Sequence, residues 1–370
     1  MNDEVMKMKH GLKRSLFGVF LGLLTLAAAA DEAYRAMFLG DIHYDAIEYH
    51  PDYKVKSSFK RNLTMWEGAS QQLLKAASDA AAKENVAFVV QLGDITQGDS
   101  DTPELQEKMF RTAVSILKQN FPERQLLVIK GNHDVRDKNA KTDNGPAERA
   151  LLPFVAAELK VPKLADGHYV FRRGKDLYIA VDGFVGGKKP AAFVKKALDD
   201  NPDARYVFLL THLPVLPACA KYPVWLLPGF EEIAAMLETR RALVIAAHTH
   251  RPSVTTRTTP RGTLPQIVVS SMGCDWNPDR IVPNELTDWE KYAAAAMKAK
   301  LVGRNTRVPK EFPKIAALGS YTHRRDFTNS GFMVLDVNDE GVTARVFTNG
   351  SGTPAQTLKL IDGPAAKTAK

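Results

Sequence analysis

The chain has only two cysteines, Cys219 and Cys274, among its 370 residues. That excludes a disulfide-rich scaffold and a four-cysteine metal site, so the fold has to rest on a buried apolar core. Long apolar runs are also missing. Leu16 to Ala30 is the nearest approach, and it falls short of the ~20 residues that a membrane span needs. No block of consecutive Lys or Arg marks a nucleic-acid tract, so no nucleic-acid partner is expected. No repeat of ~34–50 residues points to a solenoid. The formal charge of +8 suits an anionic partner, but it is also an ordinary solubility charge and selects nothing alone.

The N-terminus reads as a secretory signal. Lys7, Lys9, Lys13 and Arg14 precede the apolar stretch Leu16 to Leu26, and Ala27 to Ala30 offer an Ala-x-Ala cleavage site before Asp31. The expectation is a secreted or periplasmic protein with no stable membrane span after cleavage. In an oxidising compartment Cys219 and Cys274 form either a disulfide or two separate half-buried thiols, and both readings stay open. Beyond the signal at 1–30, residues 31–350 read as one domain with an insertion at about 272–329. Residues 351–370 read as a C-terminal extension, frayed from Gly363 onward.

Helical and strand patterns alternate. Leu63 to Lys83 carries apolar residues at helical spacing. Pro103 opens a second helix to about Gln119, Pro146 a third, Pro190 a fourth ending near Leu198, and Phe230 to Leu237 is a fifth. His168 to Phe171 and Leu177 to Val181 read as a hairpin. Gln266 to Ser270, Gly331 to Val337 and Val342 to Phe347 read as further antiparallel strands. Alternation of this kind implies an α/β fold with a largely parallel sheet. In the insertion, Thr287-Asp288-Trp289-Glu290 is a capping box opening a helix. Trp276, His323, Arg324 and Arg325 are its candidates for reaching a site.

Five short apolar runs each end at groups that bind transition metals. Tyr34 to Gly40 runs into Asp41-Ile42-His43, Val86 to Leu92 into Gly93-Asp94, and Leu126 to Lys130 into Gly131-Asn132-His133-Asp134. Tyr206 to Thr211 runs into His212, and Ala242 to Ala247 into His248-Thr249-His250. Runs rich in Val, Ile and Leu are buried strands, and ligands bind beyond the carboxyl ends of such strands. Carboxylates, an amide and several imidazoles therefore converge on one crevice, and that set of groups suits a metal.

Asp-x-His, Gly-Asp, Gly-Asn-His-Asp, a lone His and (Gly/Ala)-His-x-His, in this order after successive strands, resemble the calcineurin-like metallophosphoesterase superfamily. The motifs span Asp41 to His250, and closing strands extend the resemblance to about Phe347. It implies a four-layer α/β/β/α sandwich of two mixed β-sheets flanked by helices. It also implies two divalent transition-metal ions, for which Mn, Fe and Zn all suit imidazole and carboxylate ligands. Asp41, His43 and His250 match the ligands of one ion, Asn132, His212 and His248 those of the other, and Asp94 the shared carboxylate. In such a centre a bridging water, turned into hydroxide, attacks phosphorus. His133 matches the non-ligand histidine that protonates the leaving oxygen or holds the phosphate. Asn132 and Arg136 are candidates for binding the substrate, expected to be a phosphorylated small molecule, lipid headgroup or nucleotide.

Two departures stand out. Gln97 occupies the position where phosphoprotein phosphatases carry an Asp that orients the histidine, leaving Asp99 and Asp134 as candidates. Ala247 replaces a glycine, which is harmless where the backbone is extended. No Tyr follows Asp94 closely, unlike in purple acid phosphatases. Tyr44 and His50 read as a surface loop and His168 as a packed structural histidine. The leading expectation is a metal-dependent hydrolase of phosphate mono- or diesters. Cyclic-nucleotide phosphodiesterase or nuclease activity on the same site is the alternative, and a metal-binding interaction scaffold is the non-enzymatic one.

Overall fold

Side chains alternate between the two faces of a strand, so a strand buried on both faces must have a layer on either side. The computed structural model, which describes residues 33–51, 63, 66–139, 141–185, 189–218, 225–250, 252–273, 285–286, 321–325 and 330–364, shows this directly. Strands β5 (Asp176–Val181), β6 (Val207–Thr211) and β7 (Ala242–Ala246) are buried throughout. Tyr178, Ala180, Phe208, Leu210, Leu243 and Ile245 enter one core. Their alternating neighbours Leu177, Ile179, Val181, Val207, Leu209 and Val244 enter a second, with residues of helices α4 (Lys189–Asp199) and α5 (Phe230–Leu237).

The first core is the space between two sheets. With the strands numbered in chain order, one has the order β14-β13-β12-β1-β2-β3 and the other β10-β11-β8-β9-β7-β6-β5-β4, where β4 is Tyr169–Arg173. Phe88 of β2 (Phe88–Gln91) meets Tyr178 and Phe171 edge-on, at ring distances of 5.1 and 5.4 Å. Helices α1 (Gln71–Lys83), α2 (Pro103–Asn120) and α3 (Gly145–Leu159) accompany the first sheet. Thr102 caps α2 by accepting from the Leu105 N–H, with Pro103 in the first turn. Both sheets are mixed and flanked by helices, as the resemblance implies.

In the first sheet, β1 (Tyr34–Leu39), β2 and β3 (Gln125–Val128) run parallel. In the second, β5, β6, β7 and β9 (Gly262–Val268) do the same. The carboxyl ends of β1, β2, β3, β6 and β7 lead into the candidate metal-binding motifs. Three details differ from the sequence reading. The strand ending at Val268 is antiparallel to β8 (Ser253–Thr259), as expected, but on its other edge it is parallel to β7. The first helix is helical already at Leu63, as expected, but widens to a π-helical turn over Trp66–Ser70 before the α-helical stretch that starts at Gln71. Beyond β12 (Gly331–Asn338) and β13 (Gly341–Thr348), a further strand β14 (Gln356–Asp362) pairs along β13. β10 (Glu285–Leu286) and β11 (Tyr321–Arg325) join the second sheet through β8. The signal segment, both cysteines, the helix expected from Thr287, Trp276 and the His323 side chain lie outside the described residues.

Candidate metal centre

The seven expected ligand positions are brought together. Ligand atoms of Asp41, His43, Asp94 and His250 all lie within 4.8 Å of one another, and so do those of Asp94, His212 and His248. Asp94 belongs to both groups. Its Oδ2 lies 3.8 Å from His43 Nε2 and 3.4 Å from His212 Nε2. Asn132 joins the second group, with Oδ1 3.2 Å from His212 Nε2. His248 Nδ1 is 3.2 Å from the same nitrogen, and His43 Nε2 is 3.0 Å from His250 Nε2.

Backbone bonds between the loops fix this geometry. The N–H groups of Ile42 and His43 donate to the Asp94 carbonyl at 3.0 and 2.9 Å. The Asp94 carboxylate is divided: Oδ1 accepts from the His133 N–H at 2.7 Å, which leaves Oδ2 for the crevice. Asp41 Oδ1 accepts from the His248 N–H at 3.2 Å. Four of these residues, His43, Asp94, His248 and His250, have φ between 50° and 70°. Such left-handed backbone costs a non-glycine residue of order 1 kcal/mol or more and persists only where the surroundings impose it. Ala247 is not among the positive-φ residues, so its methyl is accommodated as expected.

Glycines make room where the loops meet. Gly93 has φ +95°, and a Cβ there would approach Gly131 N and His212 Nδ1 to 2.7 Å. A Cβ on Gly131 would run into the backbone nitrogen and carboxylate of Asp94. Gly131→Ala is therefore expected to destabilise the metal-free protein by about 1–3 kcal/mol, the usual cost of overpacking. Thermal melting measures this, and an unchanged transition would contradict the close approach.

Charge and protonation suit a cation. His212 donates Nδ1–H to the Leu92 carbonyl at 2.8 Å, which directs Nε2 into the site. Burial drives His43 and His248 well below the usual imidazole range, so both offer lone pairs at neutral pH. Burial also opposes charge on Asp94 and His212. Their mutual attraction overrides it, holding Asp94 well below the carboxylate range and pushing His212 up to about 9. Asp41 Oδ2 and His43 Nδ1 are buried without a hydrogen-bond partner. Imidazole nitrogens facing each other at 3.0–3.2 Å, around two buried carboxylates, are the donor set a divalent transition metal takes up.

Neither proposed carboxylate orients His133. Its Nδ1–H donates to the backbone carbonyl of Gln97 at 2.8 Å, and its ring meets that of His43 edge-on at 4.6 Å. Asp134 is fully buried and ties two loops together, accepting from Thr96 N–H at 2.9 Å and Gly131 N–H at 2.8 Å. Burial and the Asp94 charge push its carboxyl up to about 7. Asp99 holds Arg136 instead, at 2.8 Å from Nε and 2.5 Å from Nη2. Arg136 is thus neither free nor merely solvated: its Nη1 lies 3.5 Å from His133 Nε2. Tyr44 and His50 are buried rather than in a surface loop, with His50 Nε2 2.7 Å from Asp45 Oδ1. His168 is packed as expected, stacked on Phe193 at 4.8 Å.

With this geometry goes a match of the calcineurin-like phosphoesterase family to residues 34–252. The chain belongs to that family. As a calcineurin-like phosphoesterase it is a hydrolase acting on phosphoester bonds. Among solved structures, a purple acid phosphatase from yellow lupin (Lupinus luteus) is similar at 12% identity and a TM-score of 0.57, covering 91% of this chain and 55% of the lupin one. A dimetal phosphatase from Danio rerio is similar at 13% identity and a TM-score of 0.53, over 89% and 99% of the two chains. At these identities the likeness is one of fold. No curated protein matches the sequence. Among the described residues, no helix of this phosphoesterase is long and apolar enough to cross a membrane.

Sequence reasoning missed several supporting groups. The carbonyls of Leu92 and Gln97 are backbone and have no residue signature. Fully buried Lys130 reaches Asn144, Glu148 and Asp182 at 2.8, 2.9 and 2.8 Å. Its place beside the Gly-Asn-His-Asp block was the only hint.

Proposed function

We propose that this chain is an exported phosphoesterase with two metal ions, acting on phosphate mono- or diesters of a small molecule. The observation that supports it most is the position of Asp94, within ligand distance of both groups of side chains. Asp41, His43, Asp94 and His250 would hold one ion, and Asp94, Asn132, His212 and His248 the other. When bound, two ions supply Lewis acidity toward phosphoryl oxygens and a water activated near neutral pH.

The chain's own residues do the rest. His133, fixed through Nδ1, presents Nε2 to the crevice. Burial and the Arg136 guanidinium hold it below the usual imidazole range, so the imidazolium would form only with an anionic phosphate beside it, and would then hand that proton to the leaving oxygen. Arg136, held flat by Asp99, presents its Nη1 edge beside that nitrogen, where a guanidinium can hold a phosphoryl oxygen.

The test is turnover by purified mature protein loaded with Mn, Zn or Fe, on p-nitrophenyl phosphate, bis-p-nitrophenyl phosphate and a nucleotide panel. Metal-dependent hydrolysis that chelation abolishes is expected, and the relative rates separate monoesterase from diesterase. Absence of hydrolysis with all three metals would overturn the proposal. Export has its own readout. Mass spectrometry of the protein from its native compartment should find an N-terminus at or near Asp31, and an intact Met1 terminus in the cytoplasm would refute it.

A further inference from the structure

The Arg136 guanidinium stands beside the proposed acid with most of its hydrogen-bonding capacity already taken. Asp99 accepts side-on, from Nε at 2.8 Å and from Nη2 at 2.5 Å. Nη2 also reaches the Gln97 carbonyl, at 3.4 Å. Nη1 is what remains toward the crevice, 3.5 Å from His133 Nε2. A guanidinium with no carboxylate on it grips a phosphate through two parallel N–H groups and a full positive charge. This one offers a single nitrogen, and a carboxylate in contact offsets its charge.

The backbone keeps that carboxylate in place. The turn Gln97-Gly98-Asp99 carries both the carbonyl that orients His133 and the carboxylate that orients Arg136. The Asp99 N–H donates to the Arg136 carbonyl at 2.9 Å, and the Arg136 N–H donates to the His133 carbonyl at 3.2 Å. Gly98 has φ +71°, and a Cβ there would run into the His133 carbonyl oxygen. The two turns are therefore packed directly against each other. The side chains of Arg136 and Asp99 are 26% and 24% exposed, so water screens the carboxylate only in part. An anion held at Nη1 feels its negative charge.

We infer that Asp99 is a specificity-determining residue, whose charge biases the site toward singly charged phosphodiesters and against doubly charged phosphomonoesters. This rests on the proposed phosphoesterase reading and deepens it. A carboxylate behind Arg136 repels every unit of substrate charge, so a dianion loses more than a monoanion bound in the same place. One unit charge several ångströms away, across a partly wet site, discriminates by about 5–10-fold.

Two substrates with one leaving group test this. At about pH 8 p-nitrophenyl phosphate is a dianion and bis-p-nitrophenyl phosphate a monoanion, and both release p-nitrophenolate. In the Mn-loaded protein, Asp99→Asn should raise the monoester-to-diester ratio of kcat/KM about 5–10-fold, and added salt should shrink that gain. Asparagine keeps an oxygen that accepts from Arg136, and it suits the φ of 60° at this position. Asp99→Gly also tolerates that φ and serves if Asp99→Asn fails to fold. Asp99→Glu keeps the charge and should leave the ratio near that of the parent protein. Sulfate and methyl sulfate, inert ions of fixed charge, should shift in the same direction as competitive inhibitors. They decide the matter if the parent turns over only one of the two esters. A residue that merely places Arg136 gives a different result, because its loss weakens both esters together or the dianion more. A ratio that stays or falls in Asp99→Asn, or rises equally in Asp99→Glu, overturns the charge role alone. A parent protein that hydrolyses neither ester with Mn, Zn or Fe overturns the phosphoesterase reading and this inference with it.

Discussion

Asp94→Asn is expected to leave the protein folded and to remove both metal retention and hydrolysis. The replacement is isosteric, and the amide oxygen can still accept from the His133 N–H that Asp94 Oδ1 accepts at 2.7 Å. What disappears is the one negative charge shared by the two groups of ligand atoms. That charge holds the His212 proton in the metal-free protein, against burial, with a pKa pushed up to about 9. A proton therefore occupies the position beside Asp94 that a cation would take, and loading metal near neutral pH must release it. An amide attracts neither a proton nor a cation as strongly. Loss of a supporting partner around a metal ligand costs ~10–100-fold in affinity or activity, and loss of the shared carboxylate should cost more. Elemental analysis should fall from two ions per chain to fewer than one, with circular dichroism unchanged. Active wild-type protein with a single ion, or an Asp94→Asn protein retaining both ions and its activity, would sink the dinuclear assignment.

The convergence of the candidate ligand side chains was legible because the chemistry and the topology coincide. A buried parallel strand is a continuous apolar run, and the loop after its carboxyl end is where a site can sit. Asp41, Asp94, Asn132, His212 and His248 each follow such a run, so reading the runs was reading the site. Their conformation was not legible. Positive φ at His43, Asp94, His248 and His250 is imposed by the cross-loop backbone bonds, and no residue type announces it. The same holds for the group that orients His133. A search among carboxylates could not find Gln97, because its carbonyl does the work and its side chain does not.

Strands without apolar runs were missed for a related reason. β8 reads Ser-Val-Thr-Thr-Arg-Thr-Thr and buries Thr255 and Arg257, the latter paired with buried Glu238. Polar burial of this kind depends on a partner far away in sequence. β14 alternates buried and exposed residues only weakly, as an edge strand does, and its period-two pattern is short. β9 is antiparallel to β8, as the sequence reading has it, but its parallel pairing with β7 was not foreseen, because a strand's direction relative to a neighbour is set by the connection between them. Here β8 intervenes, so β9 returns parallel to β7.

His133→Ala should separate proton transfer from metal binding. His133 contributes no ligand atom to either group, and its Nδ1 is committed to the Gln97 carbonyl. Removing the imidazole should therefore keep both ions, while kcat falls by about 10²–10⁴-fold, the usual worth of a positioned general acid. The loss should shrink for p-nitrophenyl esters, whose leaving phenolate departs without a proton, and reach its full size for alkyl esters. His212→Ala removes a nitrogen that faces both Asp94 and Asn132. That variant should lose metal on dialysis and regain part of its activity in excess metal. The two defects are thus distinguishable in one experiment, by metal content and by the slope of rate against leaving-group acidity. If His133→Ala loses metal as readily as His212→Ala, the imidazole is a ligand. If it loses equal activity on good and poor leaving groups, it holds the phosphate alongside Arg136, and the proton must reach the leaving oxygen from elsewhere.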